Sequence, residues 1–174
     1  MTGLRRVDPT RPPGWFARAY AALSATRAAR FVSRHISWKL DPILLGLTNG
    51  RFATTLVFPT AMLETEGART GAPRRNAVIY FHDRNRVTIV ASNAGAPKHP
   101  AWFHNLRAHP DVTFGRVPMH ATVVEDEGER ARLWALADRV FPAYPSYRRD
   151  AATTGRTIPI VQLTPTGAQE DSQA

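Results

Sequence analysis

The chain has 174 residues, with 23 Lys and Arg against 14 Asp and Glu and a formal net charge of +9. That length suits a single hydrophobic core, and the charge favours an anionic partner: a phosphorylated ligand, nucleic acid or an anionic membrane surface. The absence of cysteine excludes disulfides, thiol chemistry and Cys-ligated metals, and no apolar run approaches the roughly 18 residues that span a bilayer.

The charge is uneven. Residues 1–51 hold nine Arg and Lys and two acids, residues 67–110 hold seven and one, and the chain from 111 onward is slightly acidic. Residues 1–14 read as a Pro-, Gly- and Arg-rich arm without the apolar core of a secretory signal, so a cytoplasmic location is expected. Over residues 15–39, Trp15, Phe16, Tyr20, Leu23, Phe31 and Ile36 roughly follow helical spacing and Arg18, Arg27, Arg30 and Arg34 supply charge. This predicts a basic amphipathic helix that either rests peripherally on an anionic membrane or packs its aromatics on the rest of the chain. Pro42, Gly46, Asn49 and Gly50 then break the pattern across 40–52.

Strand signals follow. An apolar, β-branched run covers 53–65, Gly67, Gly71 and Pro73 mark a turn, and strands over 74–82 and 86–92 flank a hairpin at Asp83-Arg84-Asn85. A loop of small residues from Ser92 to His99 leads to a short helix over 100–108, with Pro100 at its first position. Asp111 to Val124 reads as two strands around Gly115, Gly128 to Val140 as a helix, 141–155 as irregular, and 157–164 as a last strand. The order α-β-β-β-α-β-β-α-β, with short turns, predicts a mainly β fold with flanking helices (α+β) whose antiparallel strands form a small closed or half-closed barrel.

Three segments carry chemistry. In Gly67 to Asn76, glycines can aim successive N–H groups at an anion, and Arg69, Thr70, Arg74 and Arg75 can hold its oxygens; a plain hairpin with solvated arginines is the competing reading. Between Val90 and Leu106, small residues admit a planar ring, while Trp102 and Phe103 either wall that ring or anchor the helix to the core. In Phe141 to Tyr147, Tyr144 and Tyr147 either face a substrate or cover the barrel mouth. His82, His99, His104 and His109 lack ligand spacing, so no metal is expected. The basic residues lack a stacking platform or known module, so nucleic acid is not an expected partner.

Together these segments resemble the deazaflavin-dependent nitroreductase and quinone reductase family, whose members use coenzyme F420. The likeness runs from about Ala53 to Leu163 and rests on Thr70-Gly71-Ala72-Pro73-Arg74, the block from Ala91-Ser92-Asn93 to Asn105-Leu106, Tyr144-Pro145-Ser146-Tyr147, and Arg156-Thr157-Ile158-Pro159-Ile160-Val161. It implies a split β-barrel of the flavin-reductase or FMN-binding type over 41–165, after an N-terminal basic arm and helix (1–40) and before a disordered tail (166–174). It implies that the coenzyme's acidic tail meets Arg69, Thr70, Gly71, Arg74 and Arg75. Asn76, Ala77, Val78 and Ile79 would line the adjoining strand, and Val90, Ala91, Ser92, Asn93, Ala101, Trp102, Phe103, His104 and Asn105 would surround the ring. Ser92, Trp102, Tyr144 and Tyr147 would border the substrate, with Tyr147 beside the coenzyme as well and Ser92 and Tyr147 at the chemistry. Ala68 stands where members often carry a basic residue, and Asp150 where the best-known carry a third tyrosine, which alters the substrate wall.

The activity implied is hydride transfer from reduced F420 to a small electron-poor acceptor, a quinone or a nitro compound. Two alternatives stay open: a non-catalytic protein of the same fold that holds deazaflavin or another apolar ligand, and a flavin mononucleotide oxidoreductase.

Overall fold

A computed structural model describes residues 4–10 and 58–166. The predicted helix over 15–39, the connection over 40–52, residues 53–57 of the first predicted strand and the tail from 167 lie outside the described residues.

Six strands and three helices follow in order: β1 (Thr60–Glu66), β2 (Pro73–Asp83), β3 (Arg86–Val90), α1 (Ala101–Ala108), β4 (Asp111–Phe114), β5 (Val117–Val123), α2 (Glu127–Val140), α3 (Tyr144–Ala152) and β6 (Ile160–Pro165). The strands close into an antiparallel barrel in the order β1-β2-β3-β6-β5-β4, the small closed barrel that strand order predicts and the split-barrel class that the resemblance implies. Closure is narrowest between β1 and β4, where only Leu63 with Phe114 and Glu64 with Thr113 are in register.

Alternation along the strands sorts side chains into two cores. Leu63, Val78, Tyr80, Ile89, Phe114 and Leu163 fill the barrel. On the outer face, Phe81, Val90 and Ile160 meet Leu133 and Ala137 of α2 and Tyr144, Tyr147 and Ala151 of α3. Helix α2 is tied down by charge as well: Arg132 pairs with Asp83 at the β2–β3 hairpin and with Glu129, one turn back. Asp126 caps it by accepting the Glu129 N–H at 2.7 Å. Arg148 joins α3 to α2 through both Asp138 oxygens at 2.7 Å and lies over the Trp134 ring.

The two barrel ends differ. At one end lie the β1–β2 turn, the exit of β3, helix α1 and the entry to β6. Residues 4–10 cover the other. There the Val7 N–H donates to His82 Nδ1 (3.0 Å), the His82 N–H returns to the Val7 carbonyl (2.9 Å), and the Tyr80 hydroxyl donates to the Arg5 carbonyl (2.9 Å). Leu4 occupies the space over Gly115, where any Cβ would collide with its Cδ1.

Several sequence expectations need correction. The segment 141–155 is not irregular, because Tyr144–Ala152 is helical. Pro145 lies in the first turn, where its missing N–H has no intrahelical partner to lose. Pro100 is the N-cap of α1 rather than its first helical residue. Strand β1 begins only at Thr60, β3 ends at Val90, and β6 begins at Ile160.

Candidate functional site

The β1–β2 turn closes on itself. The Thr70 and Gly71 N–H groups both donate to the Gly67 carbonyl (3.1 and 2.8 Å), and the Gly67 N–H donates to the Ala72 carbonyl (2.9 Å). Asn105 of α1 takes the Ala68 N–H on Oδ1 and donates from Nδ2 to the Thr65 hydroxyl, both at 3.1 Å. The turn therefore differs from the expected anion-binding nest: its N–H groups point inward, because satisfying them locally fixes the turn. What it offers outward are the exposed side chains of Arg69, Thr70 and Arg74.

The arginines are not equivalent. Strand alternation sends Arg75 to the face it shares with Ala77 and Ile79, and Arg74 to that of Asn76 and Val78. Arg75 Nε lies 3.3 Å from Glu64, its cross-strand partner. Both side chains are well exposed, so this pair adds little stability, although it does occupy the guanidinium. Arg69 and Arg74 make no ion pair among the described residues.

The exit of β3 forms a compact loop. Asn93, Ala94 and Gly95 all have positive φ (48°, 49° and 73°), a run that only glycine adopts without strain. Gly95 sits against α3, and a Cβ there would lie 3.0 Å from the Tyr147 carbonyl oxygen and 2.9 Å from Asp150 Cβ. Ser92 and Asn93 are half-buried, and Asn93 Nδ2 donates to the Lys98 carbonyl at 2.8 Å. The loop is held from below by Arg156, whose guanidinium donates to the carbonyls of Ala91, Ser92 and Ala96 and to His99 Nδ1. Arg156 enters the sequence reading only as part of the resemblance. No local pattern identifies its role, because all its partners lie more than fifty residues earlier.

The remaining expected site residues divide by burial. Ala101 and His104 are exposed on α1, whereas Trp102, Phe103 and Leu106 belong to the barrel core. Val78 and Ala91 point into the barrel, Val90 joins the outer core, and Ile79 packs at that core's edge. Tyr144 and Tyr147 are buried beside Phe141, at ring-centroid distances of 4.9 and 5.8 Å. Burial raises the Tyr144 phenol far above its ordinary value, so it stays protonated at any physiological pH. An open cleft of about 470 Å³ adjoins the turn at the β1–β4 seam, but Glu64, Glu66 and Asp111 on its walls make it a poor seat for an anion. No group of three or more metal-ligating side chains converges among the described residues.

Fold and site together define a split-barrel protein with a basic turn and a clamped small-residue loop at one barrel end. The profile of the F420H(2)-dependent quinone reductase family matches residues 45–165, and the chain belongs to that family. It is 34% identical over 148 residues to an F420H(2)-dependent quinone reductase of Mycobacterium tuberculosis, covering 78% of this chain and 97% of that one. Among solved structures it is similar to an F420-H2 dependent reductase (FDR-A), with TM-score 0.52 and 32% identity over 60% of this chain and 93% of that one. A second, described as a domain-swapped dimer, gives TM-score 0.54 and 31% identity over 72% and 93%. No helix among the described residues is long and apolar enough to cross a membrane.

Proposed function

We propose that the protein is an oxidoreductase that reduces quinones with hydride from reduced coenzyme F420. Family membership supports the class of reaction. The observation that carries the reading for this chain is the junction at one barrel end: Asn105 ties the basic turn to α1, and the loop clamped by Arg156 runs directly into that helix. Two arginines without ion-pair partners among the described residues suit the coenzyme's polyanionic tail, and the partly exposed Ser92, Asn93 and Ala94 leave room for a ring. The donor set thus fits a deazaflavin carrying an acidic tail.

In this reading Arg69 and Arg74 hold the tail, Thr70 adds a hydroxyl, and Arg75 contributes after leaving Glu64. Asn76 to Ile79 lie beside the bound molecule, while Ser92, Asn93 and the exposed face of α1 border the ring. Trp102 and Phe103 act from the core, fixing α1 rather than touching the ring with their full faces. The chemistry supplied on binding is a two-electron hydride from a ring carbon, and a quinone that accepts it with one proton becomes a hydroquinone. Tyr147 or water delivers that proton, and the apolar layer of Phe58, Phe141 and Tyr144 keeps bulk water from the inner side. No metal or nucleophilic triad is required.

The finer parts of the reading are that a nitro compound can replace the quinone, and that a cytoplasmic enzyme contacts the anionic membrane face through residues 15–39. Four arginines at about 1 kcal/mol each would give reversible attachment. Vesicle sedimentation of Arg27→Gln/Arg30→Gln/Arg34→Gln checks this: unchanged, salt-insensitive binding would dismiss it. The main reading is tested by fluorescence titration with F420 and by menadione reduction with F420H2. Tighter binding of flavin mononucleotide would favour the flavin alternative, and F420 binding without turnover would favour a carrier.

A further inference from the structure

The run of three left-handed residues at 93–95 needs an external support. Two of the three carry a Cβ, which the left-handed region accommodates poorly, alanine more so than asparagine. The local bonds, Gly95 N–H to Ser92 O (3.0 Å) and Ala96 N–H to Asn93 O (2.9 Å), shape the turn but do not fix it to the barrel. Arg156 does. It precedes β6, its side chain is only 8% exposed, and it makes no ion pair among the described residues. Among the described residues, every hydrogen bond of its side chain goes to the 91–99 loop: Ala91 at the start, Ser92 and Ala96 flanking the left-handed run, and His99 at the end.

We propose that Arg156 is a positioning residue for catalysis: its guanidinium fixes the shape of the 91–99 loop, and so the placement of Ser92 and Asn93 against the coenzyme ring and the substrate. The assignment rests on the functional reading above. Burying a cation without a carboxylate is costly, and a neutral residue would fill the same space more cheaply. The cost is met here by a planar fork whose nitrogens reach both flanks of one turn at once, which a lysine's single ammonium cannot do. Burial also depresses the Arg156 pKa from its usual value, in keeping with a buried charge held by the carbonyl dipoles of the loop. The same turn also meets α3, through Gly95 packed against the Tyr147 backbone and Asp150, so Arg156 and α3 both hold it. Arg156 itself faces carbonyls and His99 rather than the exposed side of the loop, so it acts through the loop.

The test compares Arg156→Lys and Arg156→Ala with Arg132→Gln, which breaks the ion pairs to Asp83 and Glu129 away from the loop. Amide hydrogen exchange should show protection lost at Gly95 and Ala96 in both Arg156 variants, while the amides of β2 and β3 stay protected. At saturating F420H2, stopped-flow hydride transfer to menadione should fall at least tenfold in both. Millimolar guanidinium should restore much of the rate to Arg156→Ala. Arg132→Gln should lower the melting temperature without slowing transfer. Wild-type rate and exchange in Arg156→Lys, or a rate loss that merely tracks melting temperature in all three variants, would overturn the proposal. A wild-type chain that neither binds F420 nor reduces menadione overturns the functional reading and the catalytic half of this one; the exchange data then still decide whether Arg156 shapes the loop.

Discussion

The Glu64 carboxylate lies 3.3 Å from Arg75 Nε, directly across the β1–β2 ladder, while the neighbouring Arg74 projects to the opposite face with no ion-pair partner among the described residues. The two arginines should therefore differ in ligand binding. Arg74→Ala is expected to weaken F420 binding by about ten- to a hundredfold, the loss of a charge-assisted contact worth roughly 1.5–3 kcal/mol. Arg75→Ala should cost much less, because its guanidinium must first leave Glu64. Fluorescence titration measures both. Equal effects would mean that both side chains reach the ligand, and no effect from Arg74→Ala would reduce the turn to a plain hairpin.

Asn105 should matter to the turn before it matters to any ring. Asn105→Ala strands the Ala68 N–H and the buried Thr65 hydroxyl, and should destabilise the fold by about 1–3 kcal/mol in urea unfolding. Asn105→Asp keeps an acceptor for Ala68 and lets Thr65 donate instead, so it should unfold at nearly wild-type urea concentration. It also places a negative charge behind the basic turn, and F420 affinity should fall. An affinity unchanged by Asn105→Asp would separate the turn from coenzyme binding.

Tyr147→Phe keeps the ring among Phe141 and Tyr144 and removes only the hydroxyl. Melting temperature and F420 affinity should be nearly preserved while menadione reduction slows. A stopped-flow rate equal to wild type would leave Tyr147 a packing residue and water the proton source.

Acid should loosen the molecule at both barrel ends. His82 accepts the Val7 N–H and His99 accepts from Arg156, so each must be unprotonated at Nδ1. Each imidazole is held below its ordinary pKa, mainly by burial and then by cations: Arg6 near His82, and Arg156, His104 and Arg107 near His99. With folded-state values below the unfolded value of about 6.5, the unfolded chain binds more protons between the two. Stability is then complete above about pH 6.5 and declines as pH falls toward the folded-state values. Urea midpoints at pH 7.5 and 5.5 should differ, and His82→Asn/His99→Asn, which retains acceptors that do not titrate, should narrow the gap. A gap that the double variant leaves unchanged would place the acid sensitivity elsewhere.

What the sequence discloses depends on how local the cause is. The Asp83–Asn85 hairpin and the amphipathic α2 are legible because alternation and the Asp126 cap lie within a few residues of what they specify. The helix over Tyr144–Ala152 is hidden because Pro142 and Pro145 read as breakers, and only the position of the helix start shows that Pro145 breaks nothing. The basic turn can be located from its glycines and arginines, but its docking onto α1 through the Ala68 N–H depends on Asn105, far along the chain. The left-handed run at 93–95 is the least legible element. Asn93 and Gly95 are only weak signals for it, Ala94 carries none, and the residue that supports it enters just before the last strand.

The arm over residues 4–10 has a topological consequence. Val7 is bonded to His82 and Pro59 to Tyr80, so the chain leaves the described fold and re-enters it at neighbouring positions of one strand. The described chain is thus pinned to β2 on both sides of residues 11–57, and chain-closure entropy depends only weakly on the length of such a connection. Deleting everything before residue 40 would take Leu4 and Val7 out of the core along with it, so loss of function in that truncation would report on the barrel.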